Sequence, residues 1–290
     1  MIMSIIPQII MNSLIAGAIY ALTALGFNYI YGTVKFLDLG YGALAVVGAY
    51  AMFYFYKILG LNLFASAALA IIIAGIIGVL IYKTIYAPLR AKRSSQMMLL
   101  IASLGVLTAL QAIIAMIFTS DYKVLPRENV SETVYLIFGG AITKTQIILF
   151  AAVAIIAIGL ALVSKFTLFG KAVKAIGDDE EVAKISGINT KKIIGRVFFI
   201  GSMIAGAAGI FTGFDTGIQP TIGMSLLLKG VIASIIGGIG NIYGGLLGAF
   251  LLGFIENFGV WKISGAWKDS IAFGVLIIFL LFRPRGIIKK

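Results

Sequence analysis

Long apolar runs separated by short polar interruptions dominate the chain. The first, Gln8–Tyr31, would be roughly 36 Å long as a helix at about 1.5 Å per residue, enough to cross a hydrocarbon layer of about 30 Å. A hinge at Gly32–Gly42 holding Lys35 and Asp38 turns the chain, and further runs follow at Leu39–Tyr56, Leu61–Tyr82, Met97–Phe118, Ile147–Val163, Ile193–Phe214 and Ser270–Phe282. Ser225–Asn257 would make about 50 Å of helix, too long for one crossing. The glycine-rich stretch Gly237–Gly245 divides it into a short segment and a full span. The pattern predicts an all-α polytopic membrane protein with eight to nine transmembrane helices in one domain. Nine spans, with the N-terminus outside, require both halves of Ser225–Asn257 to cross. If the short half is re-entrant, the count is eight and the parity of another span changes. The opening MIMSIIPQII has no basic segment before its apolar run, so the first span reads as retained rather than as a cleaved signal.

One stretch cannot sit in hydrocarbon. In Gly170–Asn189 (GKAVKAIGDDEEVAKISGIN), Lys171, Lys174 and Lys184 alternate with Asp178, Asp179, Glu180 and Glu181. Bounded by Gly170 and Gly187, it predicts a short capped helix in water, starting after Asp178. Val182, Ile185 and Ile188, spaced by three, give that helix a narrow apolar face suited to a partner's groove. A plain solvated loop explains the charges equally well. The segment between Phe118 and Ile147, with Pro126 and Gly139–Gly140 as its turn signals, has room for a short hairpin or an interfacial segment.

Composition narrows the function. Hydrophobic residues make up 61% and charged residues 12% of the 290-residue chain, too little polar side chain to cover a soluble globule. Thirty-five glycines against five prolines suit closely packed membrane helices. Absence of Cys and His removes disulfides, thiol nucleophiles, imidazole metal sites and the usual near-neutral acid/base group. No cofactor is implied. The net charge of +12 gathers at span boundaries, which points to topology and anionic lipid rather than to nucleic acid. Placing the charged island inside puts sixteen Lys and Arg on that side, namely Lys35, the Lys83–Arg93 loop, Lys165–Arg196 and the C-terminal tail. Six lie opposite, at Lys57, Lys123, Arg127, Lys144, Lys262 and Lys268. The positive-inside bias therefore sets the island and the C-terminus in the cytoplasm.

Five polar residues within or at the edge of the spans are candidates for a translocation path or a gate: Asn28, Gln111, Asp215, Lys229 and Glu256. Asn28 reads either as a hydrogen-bonded packing residue or as a group lining a polar path. Lys229 inside an apolar run needs a partner, and Asp215 and Glu256 are the carboxylates at hand. Direct contact with a substrate carboxylate and snorkelling to the interface are the other readings. Gly237-Gly238-x-Gly240 reads as a helix break or close contact in preference to a phosphate turn. Trp261 and Trp267 read as interface anchors.

The island resembles the cytoplasmic loop of permease subunits of ATP-binding-cassette importers, where an EAA-x-x-x-G pattern forms the coupling helix. Here it stands as Glu181-Val182-Ala183-Lys184-Ile185-Ser186-Gly187, with Val182 in place of the usual first Ala. ALTALGFNYIYGTVKFLDLGYGAL, ASIIGGIGNIYGGLLGAFLLGFIEN and FLLFRPRGI are similar to the branched-chain amino acid permease family of these importers, so that the resemblance covers essentially the whole chain. Asp38 departs from the Asn common at this hinge position in that family. The resemblance implies a multi-pass protein of the prokaryotic cytoplasmic membrane working with a second permease subunit, identical or homologous, two ATPase subunits and an extracytoplasmic binding protein. It implies alternating access, with Asp178, Asp179, Glu180, Glu181, Val182, Ala183, Ile185 and Gly187 coupling the permease to the ATPases.

With no GxxxxGK[ST] loop in the chain, ATP chemistry falls to other subunits. Branched-chain amino acids are the expected substrates, with urea or short amides as the alternative within the same importer class. An ion-coupled secondary transporter would carry more intramembrane acidic groups. A membrane enzyme would lack its leading residues.

Overall fold

The computed structural model describes residues 5–125, 134–137, 139–283 and 286–288. Pro126, Arg127, Pro284, Arg285, Lys289 and Lys290, used above as turn or topology signals, lie outside the described residues. Twelve α-helices follow in order within them: α1 (Ile6–Val34), α2 (Gly40–Phe53), α3 (Leu63–Ile81), α4 (Ala87–Ala91), α5 (Gln96–Phe118), α6 (Lys144–Phe166), α7 (Leu168–Asp178), α8 (Glu180–Ile185), α9 (Thr190–Asp215), α10 (Ile222–Gly237), α11 (Ile242–Lys262) and α12 (Lys268–Phe282). A π turn, Tyr54–Ile58, prolongs α2, and a second, Tyr82–Tyr86, joins α3 to α4 in one continuous rod. Seven helical rods among the described residues are long and apolar enough to cross a membrane: α1, α3–α4, α5, α6, α9, α11 and α12 with its leading turn. The α10 helix is shorter, at 16 residues, and α2 is rich in Gly and Tyr.

Of the seven long rods, α1 and α9 are the most enclosed, and they form the centre with α2, α3, α10 and α11 against them. Their backbones approach where side chains are missing. A Cβ on Gly48 would collide with the Gly206 backbone, and one on Gly237 with the Gly244 carbonyl. These glycines are what allow α2 to cross α9 and α10 to fold back onto α11. The sides of α3, α5, α6 and α12 keep large apolar residues exposed, such as Ile76, Met116, Ile155 and Leu281. That is the surface expected to face lipid.

The segment before α6 does hold a hairpin, with β1 (Val134–Ile137) antiparallel to β2 (Gly140–Thr143). It lies on the N-terminus of α1, where Gln8 exchanges hydrogen bonds with the Ala141 backbone at 2.8 and 3.3 Å. Lys123 and Ile218 pair as a backbone bridge, N to O 2.9 and 2.7 Å.

The charged island is more ordered than its charges suggested. Gly170 does not mark its start. It sits within α7, against the Val163 and Ser164 backbone, and Thr167 caps that helix by accepting from the Gly170 N–H at 3.0 Å. A second short helix, α8, begins after Asp178 as the sequence indicated.

Candidate functional site

Two groups of polar residues stand apart. The first is α8 and its surroundings. Asp179 Oδ1 caps the helix, accepting from the N–H groups of Glu181 at 2.8 Å and Val182 at 3.0 Å. Glu180 and Glu181 in the first turn favour the same end of the helix dipole. Gly187 ends the helix at φ 84, a left-handed position that glycine takes without steric cost. On the inner side Ala183 is buried, while Val182 and Ile185 are 58% and 88% exposed. Asp178, the last residue of α7, lines a cavity of about 590 Å³ with Asn28, Thr33, Ser164, Lys165 and Asn241.

Glu180 is held by Arg90 of α4 in a close ion pair and by Lys184 one turn on, at 3.2 Å. Partial burial pushes its carboxyl up, but Arg90 and Lys184 outweigh that and leave it below the usual glutamate range. Arg90 Nη1 also donates to the Val34 carbonyl at the end of α1, at 3.0 Å. Glu181 faces Arg93 at 3.8 Å, with both side chains mostly in solvent, a pair of little energetic weight. Nearby, in the hinge after α1, the Tyr86 hydroxyl donates to Asp38 Oδ1 at 2.6 Å.

The second group lies among α1, α10, α11 and α12. Lys229 Nζ stands 3.2 Å from Glu256 Oε1, 3.0 Å from Asp269 Oδ1 and 3.2 Å from the Tyr20 hydroxyl. Tyr20 donates to Glu256 Oε2 at 2.6 Å, and Lys268 Nζ lies 3.8 Å from the same oxygen. Two lysines balance two carboxylates. The fully buried Glu256 is at the inner end and Asp269, 64% exposed, at the outer. Such a neutral arrangement can persist among apolar helices where a lone charge cannot.

Sequence reasoning offered Lys229 two carboxylates, and the structure pairs it with Glu256. Asp215, exposed at the end of α9, accepts instead from Gln146 Nε2 at 3.3 Å. Asn28 uses both ends of its amide on the turn between α10 and α11. It accepts from the Gly240 N–H at 2.9 Å and donates to the Asn241 carbonyl at 3.2 Å. Gln111 lies half-buried on α5 and belongs to neither group. Reasoning along the chain missed Tyr20, Asp269 and Arg90. Tyr20 looks like an ordinary apolar-span tyrosine, and Asp269 and Arg90 look like ordinary boundary charges. Their partners are remote in sequence, so no local spacing could have marked them.

The profile of the family described as the branched-chain amino acid transport system permease component matches residues 9–280. The chain belongs to that family. Curated members similar to this permease include the high-affinity branched-chain amino acid transport system permease protein BraD of Pseudomonas aeruginosa, 32% identical over 98% of this chain and 95% of the relative. The corresponding protein LivH of Escherichia coli is 29% identical, with the same coverage. The probable LivH of Methanocaldococcus jannaschii is 26% identical over 97% of this chain and 91% of the relative. Among solved structures, PsaBC from Streptococcus pneumoniae in complex with Fab aligns with a TM-score of 0.51 at 15% identity, covering 94% of this chain and 91% of that one. That likeness supports the fold. The permease is a multi-pass membrane protein, consistent with its seven long apolar helical rods.

Proposed function

We propose that this permease is the membrane subunit of an ATP-binding-cassette importer that admits branched-chain amino acids to the cytoplasm by alternating access. Separate ATPase subunits supply the energy, docking on Asp178–Gly187. A second permease subunit completes the path, and an extracytoplasmic binding protein delivers substrate. The names of the relatives support the substrate class. The observation that carries the coupling role is α8. Its Asp179 cap and its Glu180–Arg90 pair fix the short helix on its own chain, leaving Val182 and Ile185 in solvent as an apolar contact for a partner groove.

The neutral cluster at Lys229 is best read as a fixed joint among α1, α10, α11 and α12. Its two lysines are already paired with its two carboxylates, which leaves them poorly placed to receive a substrate carboxylate. Asn28 acts as a clasp on the glycine turn.

Uptake of radiolabelled leucine into proteoliposomes holding the permease, its co-encoded permease and the ATPases, with binding protein outside and ATP inside, tests the whole reading. Leucine uptake that needs both ATP and binding protein is expected. Uptake without the ATPases refutes the importer role, and uptake of urea or a short amide in place of leucine refutes the substrate. Replacing Glu181 and Gly187 together is expected to abolish coupling while the permease remains folded. Normal transport by that variant removes α8 from the mechanism.

A further inference from the structure

We infer that Arg90 is the positioning residue that carries movement of α8 into the transmembrane core, an inference resting on the docking role proposed for α8. One guanidinium joins three helices. It belongs to α4, its Nη2 arm pairs with Glu180 at the first position of α8, and its Nη1 arm donates to the Val34 carbonyl, 3.0 Å away. Val34 O is one of the last carbonyls of α1, which have no partner within their own helix and sit at the negative end of its dipole. The pair is partly shielded, at 18% exposure for Arg90 and 27% for Glu180. By contrast, the Arg93–Glu181 contact is 3.8 Å long and mostly in water.

The local fold aims this side chain. The π turn Tyr82–Tyr86 inserts an extra residue into the α3–α4 rod and so rotates everything after it. Tyr86, the last residue of that turn, is anchored to Asp38 in the hinge after α1. The base of Arg90 is therefore tied to the hinge by one bond, and its tip to the helix before the hinge by another. A planar, five-donor guanidinium holds two acceptors at a fixed angle, which a lysine ammonium on a flexible stem does not.

Displacement of α8 is thus transmitted to the end of α1 rather than absorbed by a loop. From there the route is continuous. Helix α1 packs against α9, α10 and α11 and clasps the α10–α11 glycine turn through Asn28.

The test uses the reconstituted importer with Arg90→Gln, Arg90→Lys, Glu180→Gln and the double variant Arg90→Gln/Glu180→Gln. It measures co-purification of the ATPases, ATP hydrolysis and leucine uptake. Each single variant is expected to retain the ATPases and hydrolyse ATP while uptake per ATP falls about tenfold, within the range usual for coupling between sites. The double variant is expected to be no worse than Arg90→Gln alone, because both act through one link. A residue needed only for folding would lower hydrolysis and uptake together, leaving their ratio unchanged. Wild-type uptake per ATP in Arg90→Lys and Arg90→Gln overturns the inference, as do losses that multiply in the double variant. If Arg90→Gln does not assemble, Arg90→Lys decides alone. Ile185→Glu reports separately on docking: normal assembly and transport in that variant overturns the role of α8, and with it this inference.

Discussion

Replacing Lys229 with Met tests the buried cluster most directly. Methionine keeps the length and apolar stem of the side chain but removes the ammonium. Glu256, fully buried, would lose its nearest cation and retain the Tyr20 hydroxyl at 2.6 Å and Lys268 at 3.8 Å. Removing one partner of a buried pair costs about 3–5 kcal/mol. The remaining donor and the second lysine place the loss near the lower end, about 3 kcal/mol. At about 2.1 cal/mol/K of unfolding entropy per residue, a chain of 290 residues shifts by a little under about 2 °C for each kcal/mol, so unfolding in detergent should begin about 5 °C lower. Glu256→Gln added to Lys229→Met should recover at least half of that loss, since no buried carboxylate is then left without its cation and Asp269 is largely in solvent. Asp269→Asn, at the exposed end, should cost less than about 1 kcal/mol. A Lys229→Met protein that melts with the wild type would mean that Glu256 does not depend on Lys229 for its charge, and the joint would dissolve as an explanation.

Three further outcomes follow from the same structure. Gly48→Leu should prevent accumulation of folded protein in the membrane, because the new side chain meets the Gly206 backbone at the α2–α9 crossing; a normally expressed, monodisperse variant would show that the crossing can open. Ile288→Pro removes the N–H that bonds the Gly237 carbonyl at 3.0 Å and should lower stability by about 1 kcal/mol, read as a melting shift against Ile288→Ala. Because the pKa of Glu180 is lowered on folding, the stability it contributes is present above the ordinary glutamate range of about 4.3. It is lost as pH falls through the lowered value. Over that interval acid should therefore remove about 1 kcal/mol more from the wild type than from Glu180→Gln, and identical acid profiles would contradict the pairing.

Much of this architecture was legible along the chain because hydrocarbon leaves so few choices. A backbone in lipid must satisfy its own hydrogen bonds, so each apolar run of sufficient length becomes a helix. The short helix starting after Asp178 was legible too, from Asp179 as its cap and Gly187 as its stop, both of which act within a few residues. So was the break at Gly237–Gly245, where glycines cluster in an otherwise continuous run. The α7 helix was not, because Gly170 reads as a boundary until the packing of its bare face on α6 is seen.

What the sequence by itself determined, then, is a multi-pass bundle of apolar helices with its local caps and stops, governed by transfer into the bilayer and by interactions within about one helical turn; the count stayed open at eight or nine, against seven long apolar rods among the described residues. Only the tertiary structure decided that Lys229 takes Glu256 and Asp269 while Asp215 turns to Gln146. It also decided that Asn28 clasps a turn more than two hundred positions away, and that Arg90 joins the end of α1 to α8. The physical reason is common to all three. A buried charge or amide must find a partner, but which one it reaches depends on how glycine-lined helices cross, and that geometry is a property of the assembled bundle rather than of any stretch within it.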